Sequence, residues 1–240
     1  MNPQLEPLWD AATRPFQAAG KLAWHFVRSK LRRDPVYFAL LMRGVLPDAG
    51  TLLDLGCGRG VLLALLAAAK EQFERGEWPP AWPAPPLRLG MRGVELRREL
   101  VQAARLALQG RAGVEQNDIR RIDLPPCAAI VMLDVLYHFN DQEQTRLLES
   151  AAHALQPGGV LVMREADANG GLAFHLTRWA DRLASSPRGG LWNKRGYRGA
   201  SQWTALLQAL GLSVSAEPMS RGTPFANVLF VARRANTIHV

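Results

Sequence analysis

The residues best placed to do chemistry are an acid followed by three alternating glycines, Asp54-Leu55-Gly56-Cys57-Gly58-Arg59-Gly60. The apolar pair Leu52-Leu53 delivers the acid from a short strand, and a run of strong helix formers, Val61 to Ala69, follows the last glycine. Glycine lets the backbone turn sharply and admits a ligand where a Cβ would collide with it. The N-terminus of the following helix adds N–H groups that have no partner within the helix. Together these features describe a site for a nucleotide-type cofactor. The spacing is GxGxG, not the GxGxxG of dinucleotide-binding loops, whose third glycine would fall at Val61. An acid two residues before the first glycine would repel a pyrophosphate, whereas it suits the ammonium end of a cofactor that carries an amino acid.

Further elements follow in order. Leu89-Gly90-Met91-Arg92-Gly93-Val94-Glu95 reads as a second strand with Glu95 at its tip, before a helix over residues 96–109. One carboxylate can accept from both vicinal hydroxyls of a ribose, a charge-assisted pair stronger than neutral bonds. Gly113 to Ile119 reads as a third strand and its loop, and Ala128 to Phe139 as a buried strand leading to Asp134 and an aromatic-rich loop. Leu155 to Val162 reads as a helix stop, a Pro-Gly-Gly turn and a fifth strand. This ordered set, over residues 51–163, resembles the class I S-adenosylmethionine (SAM) methyltransferases. The resemblance implies that SAM is bound and S-adenosylhomocysteine released. It implies a cofactor site made of Asp54, Gly56, Cys57, Gly58, Gly60, Glu95, Leu96, Asn117, Asp118, Ile119, Asp134 and Leu136. In that pattern Asp118 accepts from the adenine amino group and Ile119 lies against the ring.

The elements that must position these residues alternate apolar strands with helices, which predicts an α/β fold with a doubly wound, mostly parallel sheet. The cofactor is then expected at the carboxyl ends of the strands, where strand order reverses. The resemblance implies a Rossmann-like sheet of seven strands with the last one antiparallel. Leu212 to Ala216 and Ala226 to Ala232 are available as a closing antiparallel pair. Residues 1–50 are expected to form an N-terminal helical cap, and residues 51–240 the SAM-binding domain, with a Pro-rich insert at 76–88 and a substrate lid at 164–200.

The chain has 240 residues, 48% of them hydrophobic, enough to bury a full core. Its two cysteines, Cys57 and Cys127, lack the spacing of a disulfide scaffold or zinc site. With no signal-like opening and no apolar run near 18 residues, a cytoplasmic protein is expected. A net charge of +8 would suit nucleic acid, yet only four of the 29 basic residues are lysine and no RNA-binding motif is visible, so a small-molecule partner is expected instead. The N-terminal segment from Phe16 to Leu31 is amphipathic, with Lys21, His25, Arg28 and Arg32 in one stripe. Asp34 then caps a second helix whose first residue is Pro35. The main expectation is a cap packed beside the cofactor. The alternative is a basic face that docks on the inner membrane or on an acyl carrier protein.

The resemblance points to bacterial small-molecule enzymes, including those of quinone biosynthesis, and more faintly to those near aryl-polyene and acyl-chain genes. It implies methyl transfer to oxygen or carbon of a small aromatic or acyl acceptor. The expected substrate residues are Tyr137, Arg164, Glu165 and His175, with a basic loop from Trp192 to Arg198 in the lid. Relatives that need a metal carry an Asp-Asn pair where this chain has Arg164-Glu165, so metal-independent transfer is expected. His138 is the expected general base, able to accept a proton near neutral pH; its alternative role is to order the loop. Other readings are a carrier-tethered or RNA acceptor, a non-catalytic SAM-binding module, and a nicotinamide oxidoreductase, against which Asp54 argues.

Overall fold

A computed structural model describes residues 5–184, 196–220 and 222–236. Seven strands form one sheet: β1 (Ala49–Leu55), β2 (Arg88–Glu95), β3 (Gly113–Gln116), β4 (Cys127–Leu133), β5 (Leu155–Ala166), β6 (Ser213–Pro218) and β7 (Asn227–Arg233), in the order β3-β2-β1-β4-β5-β7-β6. The first five strands are mutually parallel, and β7 runs antiparallel to both β5 and β6. Strand order reverses between β1 and β4, so both ends that point upward there converge on one crevice.

The sheet is covered on both faces, which explains why β4 is buried along almost its whole length. Helices α4 (Val61–Glu74) and α5 (Arg98–Leu108) lie on one face, with α6 (Asp141–Ala154) and α8 (Ala200–Ala209) on the other. Neighbouring residues of β5 alternate between the two cores: Val160 and Val162 join the first, Leu161 and Met163 the second. The fifth strand begins at Leu155, earlier than the Pro-Gly-Gly turn suggested. Its pairing with β4 shifts register between Cys127 and Ala129, which accommodates the turn inside the strand.

The segment expected as a cap contains α1 (Glu6–Thr13), a 3₁₀ stretch (Arg14–Ala19), α2 (Lys21–Arg33) and α3 (Pro35–Met42). Leu8, Trp9, Phe16, Leu31 and Leu40 are buried in the same cluster as Leu62 to Leu66 of α4. The N-terminal helices are therefore part of one core and also reach the carboxyl ends of β4 and β5. In the predicted basic stripe, Arg28 pairs with Asp10 at 2.6 Å and Arg32 with Glu6, so half of it fastens α2 to α1, while Lys21 and His25 are exposed. Asp34 caps α3 by accepting from the Val36 amide at 3.2 Å. In the Pro-rich insert the tryptophans fold back onto the body. Trp78 is buried and donates to the Pro83 carbonyl at 3.1 Å, and Trp82 packs edge-on against Trp78 and Phe38. Helix α7 (Gly171–Ala184) follows β5. The lid residues 185–195, which include Trp192, Asn193, Lys194 and Arg195, lie outside the described residues.

Candidate active site

The glycine loop leaves β1 in left-handed backbone, with φ of 77° at Gly56 and 57° at Gly58. A Cβ on Gly56 would stand 2.5 Å from Val135 Cγ2, so only glycine lets the loop pass under the segment after β4. A Cβ on Gly58 would meet no atom within 4 Å: there the chain borders open space that a ligand can fill. The amides of Gly56 and Cys57 both donate to the Val94 carbonyl, at 2.8 and 3.1 Å, which locks the loop to the tip of β2. Gly60 then starts α4.

Two acids border this loop. Glu95 is 7% exposed. Its carboxylate accepts from the Gly58 amide at 3.1 Å and from the Arg97 amide at 2.9 Å, which fixes its orientation beside the open space at Gly58. Asp54 is 4% exposed and, among the described residues, nothing donates a hydrogen bond to its carboxylate. Burial, and secondarily the Glu95 charge, push its pKa up to about 7. A buried carboxylate without a donor is costly unless a ligand supplies one. An ammonium group would do so, and hydroxyls would complete Glu95. The residues present thus fit the amino-acid and ribose ends of SAM.

The adenine side is arranged differently from the expectation. Asp118 is engaged by Arg120, which donates from Nε at 3.0 Å and from a terminal nitrogen at 2.6 Å, and this pairing holds the carboxyl below its ordinary range. Asn117 donates to Glu115 at 2.8 Å, Ile119 is buried, and Leu96 is half-buried next to Glu95. An adenine amino group would share Asp118 with Arg120. Burial raises the Cys57 thiol pKa well above its ordinary value, and Cys127 is likewise a free, buried thiol.

At the end of β4 the structure brings together residues far apart in sequence. Asp134 has a left-handed φ of 59°, a conformation that non-glycine residues adopt under constraint. Its amide donates to the Arg164 carbonyl at 3.0 Å, and its carboxylate accepts from Arg164 Nε at 2.8 Å and from Lys30 at 3.3 Å. Arg164, 1% exposed, also pairs with Asp34, and Lys30 pairs with Asp34 at 2.8 Å. Arg164, expected as a substrate residue, is therefore committed to an internal cluster. Glu165 accepts from the Val135 and Leu136 amides at 3.0 and 2.6 Å, and burial, with the Asp134 charge, pushes its pKa to about 8.

A cavity of about 310 Å³ opens beside this cluster, lined by side chains that include Phe26, Lys30, Arg33, Asp134, Tyr137, Glu165, Met219 and Phe225. Of the four expected substrate residues, Tyr137 and Glu165 line it. His175 is exposed, and Thr177, two residues later on α7, lines the cavity instead. His138 is half-buried with its ring 4.0 Å from that of Tyr137, and it is not among the lining residues. Tyr137 also stacks on Tyr197, with centroids 5.8 Å apart. Sequence reasoning missed Phe26, Lys30, Met219 and Phe225. The available signal was Lys30 placed four residues before Asp34 in a chain with only four lysines.

A family model for a methyltransferase domain matches residues 23–217, from α2 to the end of β6. A carboxy-S-adenosyl-L-methionine synthase of Chromohalobacter salexigens is 30% identical over 117 residues, a match that spans 47% of this chain and 38% of that protein. Among solved structures, an O-methyltransferase family protein from Burkholderia thailandensis has a TM-score of 0.65 at 17% identity, covering 92% of this chain and 63% of the other. Magnesium protoporphyrin IX methyltransferase from Synechocystis PCC 6803, with bound S-adenosylhomocysteine, has a TM-score of 0.59 at 17% identity and 93% coverage of both chains. At these identities the two structures are likenesses of fold. The family match takes in the glycine loop, both acids that border it and most of α2, and on that ground the chain belongs to the methyltransferase domain family.

Proposed function

We propose that this enzyme methylates a small aromatic or acyl-type acceptor, on oxygen or carbon and without a metal ion, in the cavity at the carboxyl ends of β4 and β5. The observation that carries the reading is the cavity itself. Phe26, Ala166, Met219 and Phe225 give its lining apolar surface, and Lys30, Arg33, Asp34, Asp134 and Glu165 add charged and polar groups.

When bound, SAM supplies a methyl group on a positively charged sulfur, already electrophilic. The protein's contribution is then mainly orientation, an effect that can supply roughly 7–11 kcal/mol of barrier lowering. Asp54 would hold the ammonium and Glu95 the ribose hydroxyls, both from strand tips tied to the glycine loop. Arg164 keeps Asp134 in its left-handed turn, and Glu165 fixes the loop from Val135 to Tyr137 through its amides. If the acceptor atom carries a proton, Glu165 borders the cavity and can take it. His138, the expected base, stands beside Tyr137 instead.

A second reading has its own support. Leu22 and Phe26 on α2, and Leu172 and Leu176 on α7, are exposed large apolar residues on two helices that both line the cavity. They favour an acceptor delivered on a carrier protein or from a membrane surface. Among the described residues, no helix is long and apolar enough to cross a membrane.

The experiment that tests both is incubation with methyl-labelled SAM and an extract of the native host, followed by partition of the label. Label in the solvent-soluble fraction supports the small-molecule reading. Label confined to protein or RNA overturns it in favour of a tethered or macromolecular acceptor.

A further inference from the structure

We propose that the acceptor is an amphipathic carboxylate, and that Lys30 and Arg33 on the last turn of α2 recognise its charged group. The inference rests on the small-molecule reading above and narrows it to one chemical class.

The acids of the cavity are already satisfied from within the protein. Arg164, wholly buried, pairs with both Asp34 and Asp134, and the two amides after β4 hold Glu165. Lys30 also touches Asp34 and Asp134, at 2.8 and 3.3 Å, but Arg164 alone already balances part of that pair's charge and bonds to both partners. An ammonium has three donors, and the two contacts with Asp34 and Asp134 leave one for a ligand. Arg33, one helical turn beyond Lys30, lines the same cavity, is exposed, and has no ion-pair partner among the described residues. Burial also favours the neutral form of Glu165, so near neutral pH Lys30 and Arg33 face only Asp34 and Asp134, the two acids that Arg164 already pairs from beneath.

The apolar part of the lining sets the rest of the ligand. Phe26, Met219 and Phe225 offer it aromatic and thioether surface. A cavity lined by Lys30 and Arg33 together with apolar side chains suits a molecule that carries a carboxylate beside an aromatic ring or short acyl chain. The flat fork of Arg33 suits a carboxylate better than a hydroxyl or an amide, because it can donate two parallel hydrogen bonds to it. Methylation then falls on another atom of the ligand, and the product keeps its charge.

The test uses probe pairs that differ in charge: 4-hydroxycinnamate against its methyl ester, and decanoate against decanol. Each is titrated calorimetrically into full-length protein saturated with S-adenosylhomocysteine. The expected result is that an acid binds roughly tenfold or more tightly than its neutral partner, the scale of a charge-assisted bond. Arg33→Met and Lys30→Met should each erode that preference while S-adenosylhomocysteine affinity holds. Arg33 has no ion-pair partner among the described residues, so its variant should fold even if loss of Lys30 disturbs the cluster. Equal binding of acid and neutral partner, a preference unchanged in both variants, or no acid binding at millimolar concentration would each overturn the proposal. The titration needs no turnover, so its failure leaves labelling of a small molecule standing, whereas failure of labelling counts against the broader reading.

Discussion

Arg164 grips Asp134 at two points: Nε donates to Oδ1 at 2.8 Å, and a terminal nitrogen meets Oδ2. The same guanidinium reaches Asp34, 130 residues away, at the junction of α2 and α3. One buried side chain thus fastens the N-terminal helices to the ends of β4 and β5 and constrains the strained turn at Asp134. The arginine holds both carboxyls below their ordinary range, so the cluster is fully ionised at neutral pH and weakens only in acid.

Replacing Arg164 by Met should therefore do more than remove a contact. It leaves two carboxylates facing Lys30 alone, in a position where breaking a buried ion pair costs about 3–5 kcal/mol. Lys30 and the partial exposure of Asp134 argue for the lower end of that range. Urea unfolding of Arg164→Met against the parent measures the cost. A loss under about 1 kcal/mol would mean that Lys30 suffices and that the arginine is not the clamp.

Asp54 should show the reverse trade. Its folded pKa of about 7 lies above the ordinary value near 3.9, so the folded state binds the proton more tightly than the unfolded chain. The stability it contributes is present below about pH 4 and is lost as pH rises toward 7. Asp54→Asn removes that burden, and should raise the melting temperature at pH 8 while changing it little at pH 4. The same substitution should weaken SAM by about 1.5–3 kcal/mol, the usual scale for a hydrogen bond to a charged group. Parent affinity for SAM should also fall as pH drops below 7, and the variant should lose that dependence. Thermal melts at the two pH values and calorimetry across them are the measurements; unchanged SAM affinity would remove Asp54 from the cofactor site.

The two central glycines should separate fold from ligand. Gly56→Ala puts a Cβ 2.5 Å from Val135 in left-handed backbone, so it should cost at least about 2 kcal/mol of stability. Gly58→Ala meets only open space, so its cost should be near the 1–2 kcal/mol, roughly, of the backbone conformation alone. Its Cβ would nevertheless enter the space offered to the cofactor. SAM affinity should therefore fall in Gly58→Ala by more than stability does, and calorimetry beside thermal melts would show whether it does.

Much of this was legible in the chain because it is local. The glycine loop, the acid before it and Glu95 lie at strand ends whose apolar runs are plain, and strand alternation with helices carries the sheet with it. Most of what escaped is non-local. Lys30 meets Asp134 across 104 residues, and its spacing from Asp34 announces only the local pair. Arg164 and Glu165 are expected together at the substrate, yet neighbouring strand residues face opposite sides. Arg164 follows Val160 and Val162 toward the N-terminal helices, whereas Glu165 turns to the amides after β4. Asp118 takes its expected role from its place in the chain, and the Arg120 that donates to its carboxylate, two residues on, is a local partner the motif does not carry.

The proton acceptor can be identified from the shape of a pH profile. Glu165 lines the cavity with a pKa of about 8, raised by burial and by the charge of Asp134 and moderated by the amides it accepts from. A base works in its ionised form, so kcat/KM for a hydroxyl acceptor should rise with pH and level off above about 8. Glu165→Gln keeps the shape and the amide contacts of one oxygen; it should flatten the rise and lower turnover by about 10²–10⁴-fold, the usual contribution of a positioned base. SAM affinity should be unaffected, because Glu165 is not a cofactor residue. His138→Ala should keep the midpoint near 8. The opposite pattern, a midpoint near the unperturbed imidazole value of about 6.5 that vanishes in His138→Ala, would return the role to His138 and leave Glu165 as the anchor of the loop.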